Sequence, residues 1–393
     1  MKHIKSLDAL RGLAVLAVIA HHTFYLPVGW VGVQLFFVLS GFLITGILLR
    51  VKDTTPGFKS FLSRFFWRRT LRIWPLYYLH IALFALLLWV IPGILSARPP
   101  EEHVWLARSP LAFAQQPWAY LLTFTLNLHP RVHYALGHLW TLSVEEQFYI
   151  AWPFIVYFLS LNNFRRVLLG LLLFSPLFRF VIGLRLHVPA DVIPTTGAIY
   201  SSTWSHLDAF ASGALLTVLP AALHDKLKAR ALAILFGLSG LTALGGVAVL
   251  IGIRARSLEQ LLTFGYPILL TPHLHQYVWG YTLLNLISAA LIFYLVNRTS
   301  APKFFENRFL VYTGKISFGV YVWHMLLLFT LWHIWPDWPV HRLNVLSLGR
   351  FALYLTAVIG LASASYFGFE QLFLRLKDRV APERKAVSAP VEA

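Results

Sequence analysis

Hydrophobic residues form continuous runs of about 20 residues along this chain, the length an α-helix needs to cross a bilayer. The runs are unbroken rather than alternating, so the pattern indicates membrane helices and not the strands of a barrel. The sequence predicts an all-α, polytopic integral-membrane helical bundle with about ten transmembrane helices. The predicted spans are 7–26, 29–49, 73–96, 138–160, 167–186, 207–223, 230–253, 276–297, 310–333 and 346–372.

Charge is sparse and unevenly placed. Of the 393 residues, 58% are hydrophobic and 12% are charged, and the formal net charge is +17. About two thirds of the Lys and Arg residues lie in alternate connecting segments, as expected for cytoplasmic loops. Both termini are therefore predicted to be cytoplasmic, with membrane lipids as partners, and the charge gives no reason to expect nucleic acid. Cysteine is absent, which excludes disulfides, thiol catalysis and thiolate metal sites.

The first predicted span carries ionisable residues on one face. Eleven residues after Arg11, His22 returns to within about 20° of the same face, and Asp8 lies one turn below Arg11. Ionisable groups at membrane depth are costly, so they usually serve a function. The alternative is a signal-anchor helix whose basic start only sets its orientation.

Arginines are concentrated where the second connection meets the third span. Arg69 and Arg72 lie one turn apart and could form a fork for phosphate oxygens, although orientation signals alone would place arginines here. The full cluster is Arg64, Arg68, Arg69 and Arg72. In the second span, Gly32, Phe36 and Ser40 share one stripe that would let a neighbouring backbone or a ligand approach closely, and helix packing is the stronger interpretation.

The fourth span contains two adjacent carboxylates, Glu145 and Glu146. His138, Thr141 and Glu145 fall on one stripe of the predicted helix. A buried carboxylate without a partner would be protonated and could act as an acid, whereas a cation from the first span would keep it ionised. A structural salt bridge is the alternative.

Later segments add isolated polar residues. Asp208 is a candidate helix-dipole partner, cap or substrate ligand, and His206 precedes it by two residues. His324 lies in an aromatic helix, where an interior histidine bonded to its neighbours is the stronger interpretation. No metal site is predicted, because His273 and His275 have no carboxylate at ligand spacing.

Together, four motifs resemble the acyltransferase-3 family of integral-membrane O-acyltransferases. They are Arg11 with His22, Phe36-Phe37-x-x-Ser40-Gly41, Arg69-x-x-Arg72, and Trp140-x-Leu-x-x-Glu145-x-x-Phe-Tyr149. The similarity spans most of residues 5–375. The resemblance implies a ten-helix core, an acyl-coenzyme A donor from the cytoplasm, and transfer to a carbohydrate hydroxyl or a similar acceptor.

The resemblance also implies three catalytic residues. His22 matches the essential histidine of the family and would act as a general base on the acceptor hydroxyl, as a neutral imidazole can near physiological pH. Arg11 would orient the donor or stabilise developing negative charge. Glu145 would tune His22 or bind the acceptor.

The implied binding residues fall into two groups. Arg69 and Arg72, with the neighbouring Arg68, would hold the phosphates of coenzyme A, and Ser40 would position the donor rather than act as a nucleophile. The residues expected to bind substrate are Asp8, His206, Asp208 and His324. Many relatives have Arg-x-Asp where this chain has His206-Leu-Asp208, so the role of that position is open.

The expected domain organisation is an acyltransferase-3 transmembrane domain over 1–377 and a short disordered cytoplasmic tail over 378–393. Some relatives carry a C-terminal hydrolase-like domain outside the cytoplasm. This chain stops about 20 residues after the last predicted helix, so we expect that domain to be absent. Transfer would then be completed within the membrane core or by a separate extracytoplasmic transferase.

The expected function is transfer of an acyl group, in the first place acetyl, to a cell-surface or lipid-linked carbohydrate in a bacterial inner membrane. Two alternatives remain open. One is a polytopic transporter of a glycan precursor or small solute, although no inverted repeat is visible. The other is an acyltransferase that modifies a small hydroxylated metabolite such as a macrolide.

Overall fold

The computed structural model describes residues 4–90, 117–129, 134–185, 199–267, 273–298, 302–335 and 344–381. Throughout these ranges the regular secondary structure is helical, with no strand, so the predicted all-α class is confirmed. The helices are α1 Lys5–His22, α2 Val31–Thr54, α3 Phe58–Val90, α4 Trp118–Leu122, α5 Tyr134–Gly137, α6 Trp140–Phe158, α7 Leu161–Arg185, α8 Leu207–Leu215, α9 Ala221–Gly252, α10 Leu258–Leu262, α11 Gln276–Val296, α12 Arg308–Lys315, α13 Ser317–Ile334, α14 Val345–Ser365 and α15 Gln371–Val380. A single π-helical segment, Tyr366–Glu370, joins the last two.

Six of the described helical segments are long and apolar enough to cross a membrane: Pro27–Thr54, Phe58–Leu87, Leu161–Arg185, Ala221–Gly252, Gln276–Val296 and Val345–Val380. The pair α12 and α13, bent by 79°, would make a seventh if it forms one span. The helices α1 and α6 match the first and fourth predicted spans, but their charged and polar side chains lower their hydropathy. The chain is thus a polytopic membrane helix bundle, while the number ten and the sides of the termini stay predictions.

Three predicted elements differ from the structure. The segment 207–223 is not a single span, because α8 has only nine residues, about 13 Å of rise. Pro220 then precedes the next helix and disfavours a helical residue before it. The segment 310–333 is bent between α12 and α13. The predicted tail 378–393 begins inside α15, and its part from residue 382 onward lies outside the described residues.

Glycines bring the helices of the site into backbone contact. A methyl group on Gly12 would lie 2.2 Å from the carbonyl oxygen of Leu310, so α1 and α12 cross there with no room for a side chain. A methyl group on Gly41 would lie 2.0 Å from the carbonyl oxygen of Phe210. Gly32 packs in the same way on Ala14, which supports the packing interpretation at that residue of the stripe.

Candidate active site

A cavity of about 290 Å³ lies between α1, α2, α3, α6 and α13. Its lining residues on α2 extend from Val33 to Ile47, about 21 Å of helix rise, so the space is elongated along that helix. Its polar and charged lining residues are Arg11, Ser40, Arg69, Arg72, Thr141, Glu145, Tyr149, Ser317 and Tyr321. The apolar remainder includes Phe36, Leu43 and Ile73.

Three guanidinium groups face this cavity: Arg11 from α1, and Arg69 and Arg72 from α3. Arg11 lies 3.8 Å from the carboxylate of Asp8, one turn earlier on the same helix. The guanidinium of Arg69 lies over the ring of Tyr149, 5.4 Å from its centroid. Among the described residues, no carboxylate forms an ion pair with Arg69 or Arg72. The cavity therefore carries excess positive charge and is suited to an anionic ligand.

Glu145 is the one acidic residue on the described cavity wall. Its two carboxylate oxygens accept hydrogen bonds from Ser40 at 2.9 Å and from Tyr149 at 3.1 Å. Glu145 thus lies near the cavity arginines and is bonded to the hydroxyl of Ser40 on α2, and it does not contact His22. Neighbouring Glu146 points elsewhere and accepts a hydrogen bond from the indole of Trp74 at 3.3 Å.

His22 lies outside the cavity lining, at the far end of α1. The helix rise places it about 16 Å from Arg11 along the axis. Its ring contacts the ring of His324 on α13, with centroids 5.0 Å apart. His324 in turn lies edge-on to the ring of His138, at 4.9 Å. His22, His324 and His138, which lie far apart in the sequence, are therefore in contact in the structure.

Tyr321 stands between the cavity and these histidines. It lines the cavity, and its ring lies 5.3 Å from that of His138 and 5.4 Å from that of His324. Its hydroxyl bonds to the hydroxyl of Thr141 at 2.6 Å and donates to the carbonyl of His138 at 2.8 Å. Tyr321 was not among the predicted site residues, although its position three residues before His324 puts it near the same face of α13.

Two predicted binding residues lie away from the cavity. Arg68 donates to the carboxylate of Asp378 at 3.2 Å and to the carbonyl of Ala381 at 2.7 Å, so it joins α3 to the C-terminal helix. Asp8 is the ion-pair partner of Arg11 rather than a lining residue.

Asp208 belongs to a buried ion pair that the sequence analysis missed. Its carboxylate lies 2.9 Å from the guanidinium of Arg179, and both side chains are fully buried. The hydroxyl of Thr282 donates to the same carboxylate at 2.6 Å. His206 is also fully buried, with Nε2 2.7 Å from the carbonyl of Tyr200. Neither His206 nor Asp208 lines the cavity. The available signal was Arg179, which lies in the interior of the apolar span 167–186.

The chain also matches a known family along most of its length. The sequence profile described as an acyltransferase domain covers residues 4–367. The chain belongs to the acyltransferase-3 family.

The acyltransferase-3 chain is similar to curated proteins of Staphylococcus aureus. It is 28% identical over 337 residues to a strain COL protein named "Putative O-acetyltransferase SACOL0978", covering 84% of this chain and 51% of that protein. It is 27% identical over 335 residues to O-acetyltransferase OatA of strain NCTC 8325 / PS 47, covering 82% of this chain and 50% of OatA. The chain thus spans about half the length of these relatives. No solved structure is significantly similar to it.

In this acyltransferase-3 chain, the four sequence motifs converge on one region. Arg11, Ser40, Arg69, Arg72 and Glu145 share the cavity wall. The remaining ionisable motif residue, His22, lies outside the cavity and is separated from it by Tyr321. No group of three or more His, Asp or Glu residues in the described ranges is placed to hold a metal ion.

Proposed function

We propose that the chain is an integral-membrane O-acyltransferase that moves an acyl group, in the first place acetyl, from acyl-coenzyme A to a hydroxyl of a carbohydrate. The observation that carries this proposal is the elongated cavity into which Arg11, Arg69 and Arg72 project. Membership of the family supports the reaction class, and the names of the relatives support acetyl as the group.

The donor is assigned to the cavity by charge and shape. Coenzyme A carries phosphate groups at one end and a long, narrow arm with the reactive thioester at the other. Arg69 and Arg72, one helical turn apart, offer several N–H donors to phosphate oxygens. The apolar side of α2, including Leu43 and Ile47, offers contacts for the arm. The positive-inside pattern favours entry of the donor from the cytoplasm.

The chemistry is assigned to His22. Its imidazole takes the proton of the acceptor hydroxyl while the oxygen forms a bond to the thioester carbonyl carbon. The carbon–sulfur bond then breaks, and the leaving thiolate takes the proton back from the imidazole. Because His22 lies about 16 Å from Arg11 along α1, the thioester must reach past Tyr321. We therefore propose that the arm of the donor displaces the Tyr321 side chain.

The acceptor is proposed to be a cell-surface or lipid-linked glycan of a bacterial inner membrane. We propose that such an amphiphilic acceptor reaches His22 from the lipid or from the outer face. A separate extracytoplasmic transferase is a further proposed partner.

The proposal is tested by the release of free coenzyme A from acetyl-coenzyme A by the purified protein in lipid nanodiscs. We expect release by the wild type that increases when lipid-linked glycan is added. A transporter of a glycan precursor would instead move its solute across a sealed vesicle without release of coenzyme A. Solute flux together with no thiol release and no binding of coenzyme A would overturn the proposal.

A further inference from the structure

The contact between His22 and His324 has a defined hydrogen-bond direction. The Nδ1 atom of His22 lies 3.3 Å from Nε2 of His324 and 3.0 Å from the carbonyl oxygen of Val18. The other ring nitrogen of His324, Nδ1, lies 2.5 Å from the carbonyl oxygen of Tyr321. The hydroxyl of Tyr354 donates to the backbone carbonyl of His324 at 2.9 Å, which anchors this residue on α13.

The partners fix the proton position on His324. The side chain is fully buried, and no carboxylate oxygen of the described residues contacts either ring, so an imidazolium there would be costly. A neutral imidazole has one N–H group and one acceptor nitrogen. A carbonyl oxygen can only accept, so the Nδ1 atom next to Tyr321 carries the proton. The Nε2 atom of His324 is therefore an acceptor.

The neighbours of His22 likewise fix the position of its proton. Both neighbours of its Nδ1 atom, the Val18 carbonyl and the Nε2 atom of His324, are acceptors, so Nδ1 carries the proton and is shared between them. The Nε2 atom of His22 then holds the free lone pair. This is the form that a general base requires.

We propose that His324 is a positioning residue that holds His22 in this tautomer and orientation, so that Nε2 of His22 takes the proton of the acceptor hydroxyl. The proposal rests on the proposed function. As Nε2 gains the proton, His22 becomes positively charged and its Nδ1–H group donates more strongly to His324. The acceptor oxygen bonds to the acyl carbon, the carbon–sulfur bond breaks, and the proton passes from His22 Nε2 to the thiolate.

Three variants separate this role from a merely structural one. His324→Ala removes the acceptor, while His324→Gln can present an amide oxygen near the position of Nε2. His224→Gln is the matched control, because His224 lies on the peripheral helix α9, with 35% of its side chain exposed. We expect His324→Ala to lower kcat about 10²-fold with an unchanged KM for acetyl-coenzyme A. We expect His324→Gln to recover at least about a tenth of the wild-type kcat, and His224→Gln to match the wild type.

The second readout is the ¹⁵N spectrum of histidine-labelled protein in nanodiscs, with the signals of His22 identified by their loss in His22→Gln. We expect the wild type to show the Nδ1–H tautomer at His22, and His324→Ala to show a mixture of both tautomers. A wild-type spectrum with the proton on Nε2 would overturn the proposal, as would wild-type kcat in His324→Ala. Failure of the proposed function is a separate result, seen as release of coenzyme A that does not depend on His22.

Discussion

The hydroxyl of Ser40 donates a hydrogen bond to the carboxylate of Glu145 over 2.9 Å and so ties α2 to α6 on the wall of the arginine-lined cavity. These residues are 105 positions apart and come from two different sequence motifs. Tyr149 donates to the second carboxylate oxygen. The carboxylate is thus held by neutral hydroxyls, and its charge offsets part of the positive potential of the nearby arginines.

Replacing Glu145 with Gln should tighten the binding of coenzyme A about 5- to 30-fold. The substitution keeps the side-chain length but removes the one negative charge on the described cavity wall. A charge about 8 Å from a phosphate contributes on the order of 1–2 kcal/mol in a protein environment. Titration calorimetry with coenzyme A measures the change, and Glu146→Gln, which changes the neighbouring carboxylate outside the cavity, is the control. Weaker binding in Glu145→Gln would show that the carboxylate itself contacts the ligand.

Replacing Arg69 or Arg72 with Ala should raise the Kd for coenzyme A about 10- to 100-fold, the loss expected for a charge-assisted hydrogen bond of about 1.5–3 kcal/mol. Arg68→Ala is the matched control, because this neighbouring arginine bonds to Asp378 and Ala381 outside the cavity. The control should bind coenzyme A like the wild type. Equal losses in all three variants would mean that the arginines act through general charge or folding rather than through this cavity.

Many residues of the candidate active site could be predicted from the sequence, because the patterns that mark them lie within single helices. The spacing from Arg11 to His22 and the pair Arg69 and Arg72 are set by helix periodicity, and charges in apolar runs are conspicuous. The separation of His22 from the cavity by Tyr321 could not be predicted. It depends on how α13 packs against α1 and α6, a contact between residues far apart in the chain.

Replacing Gly41 or Gly213 with Ala should lower stability by about 1–3 kcal/mol, because the added methyl group would overlap a backbone carbonyl of the facing helix. The contacting oxygens belong to Phe210 and Val38. Thermal unfolding in detergent measures the change. Gly237→Ala on α9 is the control, since a methyl group there meets nothing within 4 Å. Unfolding temperatures equal to that of the control would contradict the close packing of α2 on α8.

Replacing Arg179 with Met should destabilise the fold by about 3–5 kcal/mol, because the carboxylate of Asp208 would stay buried without its cation. The double variant Arg179→Met with Asp208→Asn should recover part of that loss. Both should bind coenzyme A with the wild-type Kd once folded, since neither residue lines the cavity. Reduced binding by the folded double variant would instead support the predicted ligand role of Asp208.

The ion-pair partner of Asp208 could not be predicted from the sequence. A lone acid at a helix start is compatible with a cap, a dipole partner or a ligand. The buried partner Arg179 comes from another helix, 29 positions earlier. The segment 207–223 consists of a short helix, a turn and the start of α9. This division could not be predicted either, because hydropathy alone does not mark where an apolar run turns.

The most direct test of His22 as the general base compares wild type and His22→Ala in nanodiscs. Both the binding of acetyl-coenzyme A and the release of free coenzyme A are measured. Since His22 lies outside the donor cavity, we predict an unchanged Kd together with loss of release. Release of coenzyme A by His22→Ala at the wild-type rate would contradict the role of His22 as the general base.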